Sequence, residues 1–468
     1  MKLSGRRIGV AGVLLAGAIM GVVCAGRLWA RQGAGTAPAR TSEEMAAFSA
    51  AADEVMAQMS QITGLKQLSP LKKTLRSRDE IRAYLLKQMD DDKDAKERYA
   101  SDRSAEAFGL IPKGFDLDSF MVDLLTEQIA GLYDPKAREF YIADWIALAD
   151  QRMVMAHELT HALEDQHFHI DDWEKAAKPN SDAELAREAV LEGSATAAMV
   201  DYMLQGTGKS LNDLPDFDPS AVMGDMENTP NLKKAPPFIK DVLVFPYLSG
   251  MTFTTQAMKP GGWSALPKLF LKPPVSTQQI LHPALYQTGK VPDKVELPGV
   301  EALAGPQWTK LEEDINGELG WREILRQFLD HGLADTVAES WSGDKYATFE
   351  NKDKKLLLVT RIKLNTAEQA ARFFGVYSEA LEKKHATRTN LLRRPNYFSF
   401  DTPDGGVFLR CVQRECTTLE GGDRMMFVVW NKTLGWGPIP ETPKEIEPDG
   451  TQTTRRLATA AVAVAGGR

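Results

Sequence analysis

The sequence predicts an α+β protein in two folded parts: a mostly helical first domain with a small sheet, then a smaller α+β domain. Three observations carry this. Helix-start signals followed by apolar residues at helical spacing recur along the first part of the chain. One pair of short β-rich runs flanks a turn there. After Gly305-Pro306 the texture changes, and short strand-like runs alternate with one long amphipathic stretch. With 468 residues, 43 % of them hydrophobic, the chain is long enough for more than one core.

The first element is Met1-Lys2-Leu3-Ser4-Gly5-Arg6-Arg7 and then nineteen uncharged residues, Ile8 to Gly26. A basic start and an apolar run make residues 1–30 a signal peptide or an N-terminal anchor. Val23-Cys24-Ala25 and Leu28-Trp29-Ala30 are the cleavage candidates, and retention through residues 8–26 would anchor the chain to the membrane. Arg6-Arg7 lacks the flanks of a twin-arginine signal, and Val23 is too large for a lipidation site at Cys24. Cleavage after Ala30 removes four basic residues and takes the formal charge from −8 to −12. Such a surface is soluble and does not invite nucleic acid.

Residues 31–41 form a small-residue linker. The first domain, 42–305, then opens on Thr41-Ser42-Glu43-Glu44, a capping box for an amphipathic helix to about Thr63. Ser77-Arg78-Asp79-Glu80 opens another, and the run Asp90 to Asp94 reads as a solvated face. From Leu124 the chain leads through Tyr133 to the turn Asp134-Pro135-Lys136 and then to Glu139-Phe140-Tyr141-Ile142-Ala143, a β-hairpin.

Directly after the hairpin comes His157-Glu158-Leu159-Thr160-His161 on an apolar helix. Residues four apart share a helix face, so His157 and His161 can reach one tetrahedral metal ion. Glu158 projects about 100° round the axis, where the H-E-x-x-H spacing places a general base beside a metal-bound water. With seven histidines in the chain, chance alone gives this pattern on the order of once in a hundred such sequences.

Three residues compete for the third ligand position. His167 has the spacing of H-E-x-x-H-x-x-G-x-x-H, but Glu164 stands where that pattern needs the Gly that breaks the helix. Glu188 and Glu192 lie on one face of a second helix, Glu184 to Ala198, which packed against the first completes a His2Glu site and leaves a position for water. The thermolysin pattern Glu-x-x-x-Asp favours Glu188, while Glu192-Gly193-Ser194-Ala195 fits Glu-Gly-x-Ala over more positions and favours Glu192. Glu192 is the expected ligand, with Glu188 and His167 as the alternatives.

Ala156-His-Glu-Leu-Thr-His-Ala162, Val190-Leu191-Glu192-Gly193-Ser194-Ala195-Thr196 and a later segment together resemble a group of exported bacterial zinc metallopeptidase-like proteins of the gluzincin class. The later segment is Phe245-Pro246-Tyr247-Leu248-Ser249-Gly250, Gly261-Gly262-Trp263 and Pro273 to Pro283, and the similarity covers about Glu127 to Pro292. It implies a zincin-like metallopeptidase domain, one Zn2+ per chain and hydrolysis, without a known substrate. In zincins a strand placed like this hairpin borders the cleft and takes an extended peptide at its edge.

Ser276-Thr277 after two prolines reads as a helix start, and His282-Pro283 as its end. His282 at that end, with Tyr286 beyond it, is the expected donor for a tetrahedral oxyanion opposite the zinc; gluzincins use a His or Tyr in this way.

The second domain, 306–440, begins with an amphipathic helix, Gly317 to Leu329. Strands are expected at Tyr346-Phe349, Lys355-Ile362 and Gly406-Val412, and a helix at Thr366-Lys383. Cys411 and Cys416 lie close enough for a local disulfide in an exported chain. His331 and His385 are expected to face solvent, and the polar tail, 441–468, to be disordered. The whole reads as an exported, extracytoplasmic zinc peptidase acting on peptide or protein substrates, with Glu158 as base. The alternative is a non-catalytic, zinc-stabilised peptide-binding or assembly module of the cell envelope.

Overall fold

The computed structural model describes residues 41–89, 92–213, 229–259 and 261–439. The expected export segment, the linker up to residue 40 and the expected tail lie outside them. Among the described residues, no helix is long and apolar enough to cross a membrane. The described residues fall into two compact units, those of Met1–Lys294 with Glu312–Glu339, and those of Val295–Leu311 with Ser340–Arg468.

The sequence predicts one boundary, between residues 305 and 306. Instead the chain enters the second unit at Val295, returns to the first for Glu312–Glu339, and leaves again at Ser340. The return has a physical anchor. Ser181 N donates to Asp314 Oδ1 at 3.0 Å, and Gly317 lies so close to Asp182 that a Cβ on it would overlap that carboxylate.

In the first unit, helix α1 (Ser42–Thr63) starts as its sequence foretells. Thr41 accepts from Glu44 N, and Thr41 N donates back to Glu44 Oε2 at 2.8 Å, the reciprocal capping box. Strand β1 (Lys72–Arg76) precedes α2 (Arg78–Met89), opened by the same pairing between Ser77 and Glu80. Helices α3 (Asp92–Phe108) and α4 (Leu117–Gln128) lead to β2 (Gly131–Asp134) and β3 (Glu139–Ala143). The expected hairpin is present, but Leu124 to Gln128 complete α4 and the first strand begins only at Gly131. In this three-stranded sheet β3 is central, antiparallel to β2 and parallel to β1.

Next come α5 (Leu148–Phe168), α6 (Ile170–Lys175), α7 (Ser181–Leu204), α8 (Pro230–Lys234) and α9 (Pro237–Met258). Short helices α10 (Leu266–Leu271), α11 (Thr277–Leu281) and α12 (Pro283–Thr288) follow. Helix α7 is the centre of this unit, packed against α9, α5 and α1. Its buried side is built of Ala186, Ala189, Gly193, Ala197 and Ala198, small residues that let neighbouring helices come close. As the sequence indicated, α11 is capped by Ser276, whose side chain accepts from Gln278 N.

The second unit contains α13 (Val300–Ala304) and begins the strand β4 (Trp308–Asp314), while α14 (Gly317–Arg326) and α15 (His331–Ala338) belong to the first. Then come β5 (Trp341–Asn351), β6 (Leu356–Leu364), α16 (Ala367–Lys384), β7 (Thr389–Arg394), β8 (Tyr397–Thr402), β9 (Gly405–Val412), β10 (Glu415–Gly422) and α17 (Arg424–Thr433). The sheet order is β4-β5-β6-β10-β9-β8-β7, with antiparallel pairing from β5 to β7.

Alternation along β10 shows how both faces of this sheet are covered. Leu419 joins Phe427 and Trp430 of α17 in one core, and Trp430 Nε1 donates to Thr417 on the same face at 2.7 Å. Cys416 points the other way, toward the Ala370 carbonyl of α16, and is joined to its cross-strand partner Cys411 in a disulfide. His331 is exposed as expected. His385 is not: it is half-buried, with Nε2 2.9 Å from Glu420 Oε2 and its ring against Phe400.

Candidate metal centre

Helix α5 contains neither Gly nor Pro and carries Asp150 in its first turn, where an acid favours the helix N-terminus. Glu164 lets it run on to Phe168, and only His169, at φ 54°, turns the chain out. His157 and His161 therefore stay one turn apart on the face that meets α7, and Glu192 of α7 comes up opposite them.

His157 Nε2 and His161 Nε2 lie 3.0 Å apart. Glu192 Oε2 is 3.1 Å from the first and 3.5 Å from the second. Bonds of about 2.0–2.1 Å at tetrahedral angles put ligand atoms about 3.3–3.4 Å apart. The three atoms thus already form one face of such a tetrahedron, and among the described residues this is the one group of its kind. Two imidazoles and a carboxylate are a donor set suited to a divalent transition metal.

Neighbouring side chains hold the three in place. Ser194 Oγ donates to Glu164 Oε1 at 2.5 Å, and Glu164 Oε2 lies 3.4 Å from His161 Nδ1. A carboxylate behind the distal nitrogen fixes which ring nitrogen faces a metal. Tyr247 of α9 sets its ring 6.2 Å from that of His157 and donates its hydroxyl to Glu192. Glu158 Oε2 accepts from the Tyr133 amide of β2 at 2.8 Å, whereas its Oε1 is buried without a partner. His157, Glu158, His161, Glu192 and Tyr247 are all at most 2 % exposed.

That burial sets the protonation of the group. It pushes the His157 imidazole down to about 4 and the Glu158 carboxyl up to about 8. At His161 burial works the same way, but the Glu192 and Glu164 carboxylates outweigh it and hold the ring well above its ordinary value. At Glu192 burial favours the neutral carboxyl, and the two imidazoles overcome it.

The hairpin also touches the site directly. Strand β2 is buried throughout, and its outward amide at Tyr133 is taken by Glu158. Gly131 has no room for a side chain, since a Cβ there would lie 2.4 Å from Val154 of α5.

The remaining candidates sit elsewhere. His167 is turned to the surface, with Nε2 2.8 Å from the Lys66 carbonyl. Glu188 is buried one turn from Glu192, outside the triad. His282 Nε2 lies 2.7 Å from Glu318 Oε1. Glu318 follows Gly317, which packs on Asp182, and α11 is tied to the same Asp182 by the Thr277 amide at 3.0 Å. Ten residues of α7, about 15 Å of helix, separate Asp182 from Glu192. Tyr286 donates to the Lys272 carbonyl at 2.7 Å, so neither residue is brought to the triad.

The tyrosine that does reach it is Tyr247, which lies in the Phe245-Pro246-Tyr247-Leu248-Ser249-Gly250 stretch. A signal was available, because Gly193 and Gly250 each interrupt a long helical run, and such a glycine often marks a close helix approach.

Residues 307–425 match a domain family described as a domain of unknown function (DUF8575); that span includes none of the metal-centre residues. No curated protein matches the chain, and no solved structure matches it either.

Proposed function

We propose that this chain is an exported, zinc-dependent peptidase with a zincin-like first domain of the gluzincin class. The observation that carries the reading is the buried His157–His161–Glu192 face with Glu158 beside it, one carboxylate oxygen held and the other without a partner. A zinc ion bound by those three residues would polarise a scissile carbonyl and acidify a water. The residues themselves do the rest. Tyr133 N fixes the Glu158 carboxylate through Oε2, leaving Oε1 to take a proton and later pass it to the departing amine. Ser194 and Glu164 keep His161 Nε2 turned inward, and Tyr247 steadies Glu192.

One observation favours a second reading, a zinc-stabilised binding or assembly module of the cell envelope: every residue of the centre is buried, as in structural zinc sites. Zinc stoichiometry measured beside hydrolysis of a fluorogenic peptide library separates the two. On the peptidase reading the wild type holds one zinc per chain and cleaves peptides, and Glu158→Gln keeps the zinc but loses about 10²–10⁴-fold in rate. A zinc-bound wild type without turnover would leave the binding module.

A further inference from the structure

On the side of the hairpin away from α5 the chain forms an open cavity of about 430 Å³. Side chains alternate along β2. Gly131 and Tyr133 face α5, where Tyr133 donates its hydroxyl to Asp165 at 2.8 Å. Asp134 faces the other way and forms the floor of the cavity with Tyr141 of β3, both at most 5 % exposed. Helix α2 supplies the opposite wall through residues spaced to share one face, and its Ala83 and Lys87 stand exposed at the mouth.

Arg76, at the end of β1, lines the same cavity. Its guanidinium carbon lies 3.7 Å from the centre of the Tyr141 ring and 5.5 Å from that of Tyr84. A guanidinium held over a ring keeps its N–H donors for partners at its edge. Among the described residues none of those donors makes a hydrogen bond, and no carboxylate pairs with the group. The two carboxylates of the cavity are engaged elsewhere. Asp134 accepts from the Tyr84 hydroxyl and from the Lys136 and Ala137 amides, each at 2.9 Å. Glu80 accepts from the Ser77 amide at 2.8 Å and from the Ser77 hydroxyl at 3.0 Å.

A guanidinium edge matches an oxyanion with two parallel acceptors. Arg76 and Lys87 balance Asp134 and Glu80, so the cavity gathers no excess of positive charge. That selects a single negative charge, a carboxylate, over the dianion of a phosphate ester. Beside the fork, the Tyr84 and Tyr141 rings offer apolar surface for the body of such a ligand.

We propose that this cavity binds an apolar carboxylic acid, with Arg76 receiving the carboxylate and the two tyrosine rings receiving the apolar body. The acid is either the C-terminal residue of a peptide or a free small organic acid, and both present the same chemistry to Arg76. The site lies on the far face of the hairpin from Glu158 and stands independently of the peptidase reading.

Calorimetric titration of the full chain, with and without zinc, tests it. The probes are acetyl-alanyl-phenylalanine, the same dipeptide as its C-terminal amide, phenylpropionate and phenyl phosphate. The dipeptide acid is expected to bind about tenfold more tightly than its amide, equally well in both metal states. Phenylpropionate binding as tightly as the dipeptide acid identifies a free organic acid as the ligand; a dipeptide acid that alone binds identifies a peptide end. Arg76→Gln removes the preference for acid over amide, and Arg76→Lys, which keeps the charge without the fork, restores only part of it. Should Arg76→Gln not fold, Ala83→Trp fills the mouth from an exposed helix position and is expected to weaken binding of the acid about tenfold.

Equal affinity for acid and amide, no binding of either acid, or binding seen only with zinc overturns the site. So does tighter binding of phenyl phosphate than of the acids, or a preference that survives Arg76→Gln.

Discussion

Gly193 and Gly250 meet backbone to backbone: a Cβ on the first would lie 2.2 Å from the Gly250 carbonyl carbon, and one on the second 2.1 Å from the Ala189 oxygen. This contact builds the candidate metal centre. Glu192 precedes Gly193, and Tyr247 stands one turn before Gly250, so the crossing of α7 and α9 delivers a hydroxyl to the Glu192 carboxylate.

Gly193→Ala is therefore expected to push the helices apart and cost about 1–3 kcal/mol, with weaker zinc binding as a second effect. Thermal denaturation and zinc titration read the two effects. Gly375→Ala, in α16 where nothing lies within 4 Å, is the control and is expected to stabilise by about 0.5–1 kcal/mol.

The ligand set predicts a sharp division among substitutions. His157→Ala, His161→Ala and Glu192→Ala should each abolish stoichiometric zinc, whereas His167→Ala and Glu188→Gln should retain it. Metal analysis of the purified variants decides this, and retained zinc in Glu192→Ala with loss in Glu188→Gln would move the third ligand.

Behind the ligands, Ser194→Ala and Glu164→Gln leave every proposed metal bond intact but release His161 Nδ1. Zinc affinity is expected to fall about 10–100-fold, measured by competition with a chromophoric chelator. Unchanged affinity would mean that the helix alone orients the ring.

Acid sensitivity should appear in the second unit. Burial disfavours the charged form of Glu420, but Lys384 Nζ at 2.7 Å and His385 Nε2 at 2.9 Å outweigh it and hold the carboxyl down to about 2. A folded-state value below the unfolded one gives stability that is present above about pH 4.3 and lost as pH falls toward 2. The size is of order 3 kcal/mol. Glu420→Gln should therefore be clearly less stable than wild type near pH 6, and the gap should narrow in acid, as read by fluorescence of Trp341 and Trp430. A gap that does not change with pH would show that packing, not charge, holds Glu420.

Much of the centre was legible because its signals are local. Spacing within one helix places His157, Glu158 and His161, and Glu192-Gly193 carries both the third member of the candidate triad and the reason its helix comes close. The capping residues Thr41, Ser77 and Ser276 act within one turn and were readable for the same reason. What the sequence did not reveal depends on which elements meet. Tyr247 acquires its place only through the Gly193–Gly250 crossing. His282 stands at a helix end as expected, but nothing in its neighbours says that α11 docks at Asp182, far down α7 from the metal. Gly305-Pro306 marked a turn and was read as a boundary, because the return of Glu312–Glu339 to the first unit depends on the distant residues Ser181 and Asp182.

The hydrogen bond from Tyr133 to Glu158 gives the protein an internal gauge. The main-chain amide of Tyr133 points at the carboxylate oxygen of the proposed base, and a bond to a charged acceptor is shorter and stronger than one to a neutral carboxyl. The nitrogen and proton resonances of that single amide should therefore shift whenever Glu158 gains or loses its proton. They would do so in the resting protein, with no substrate present, and Glu158→Gln would silence them.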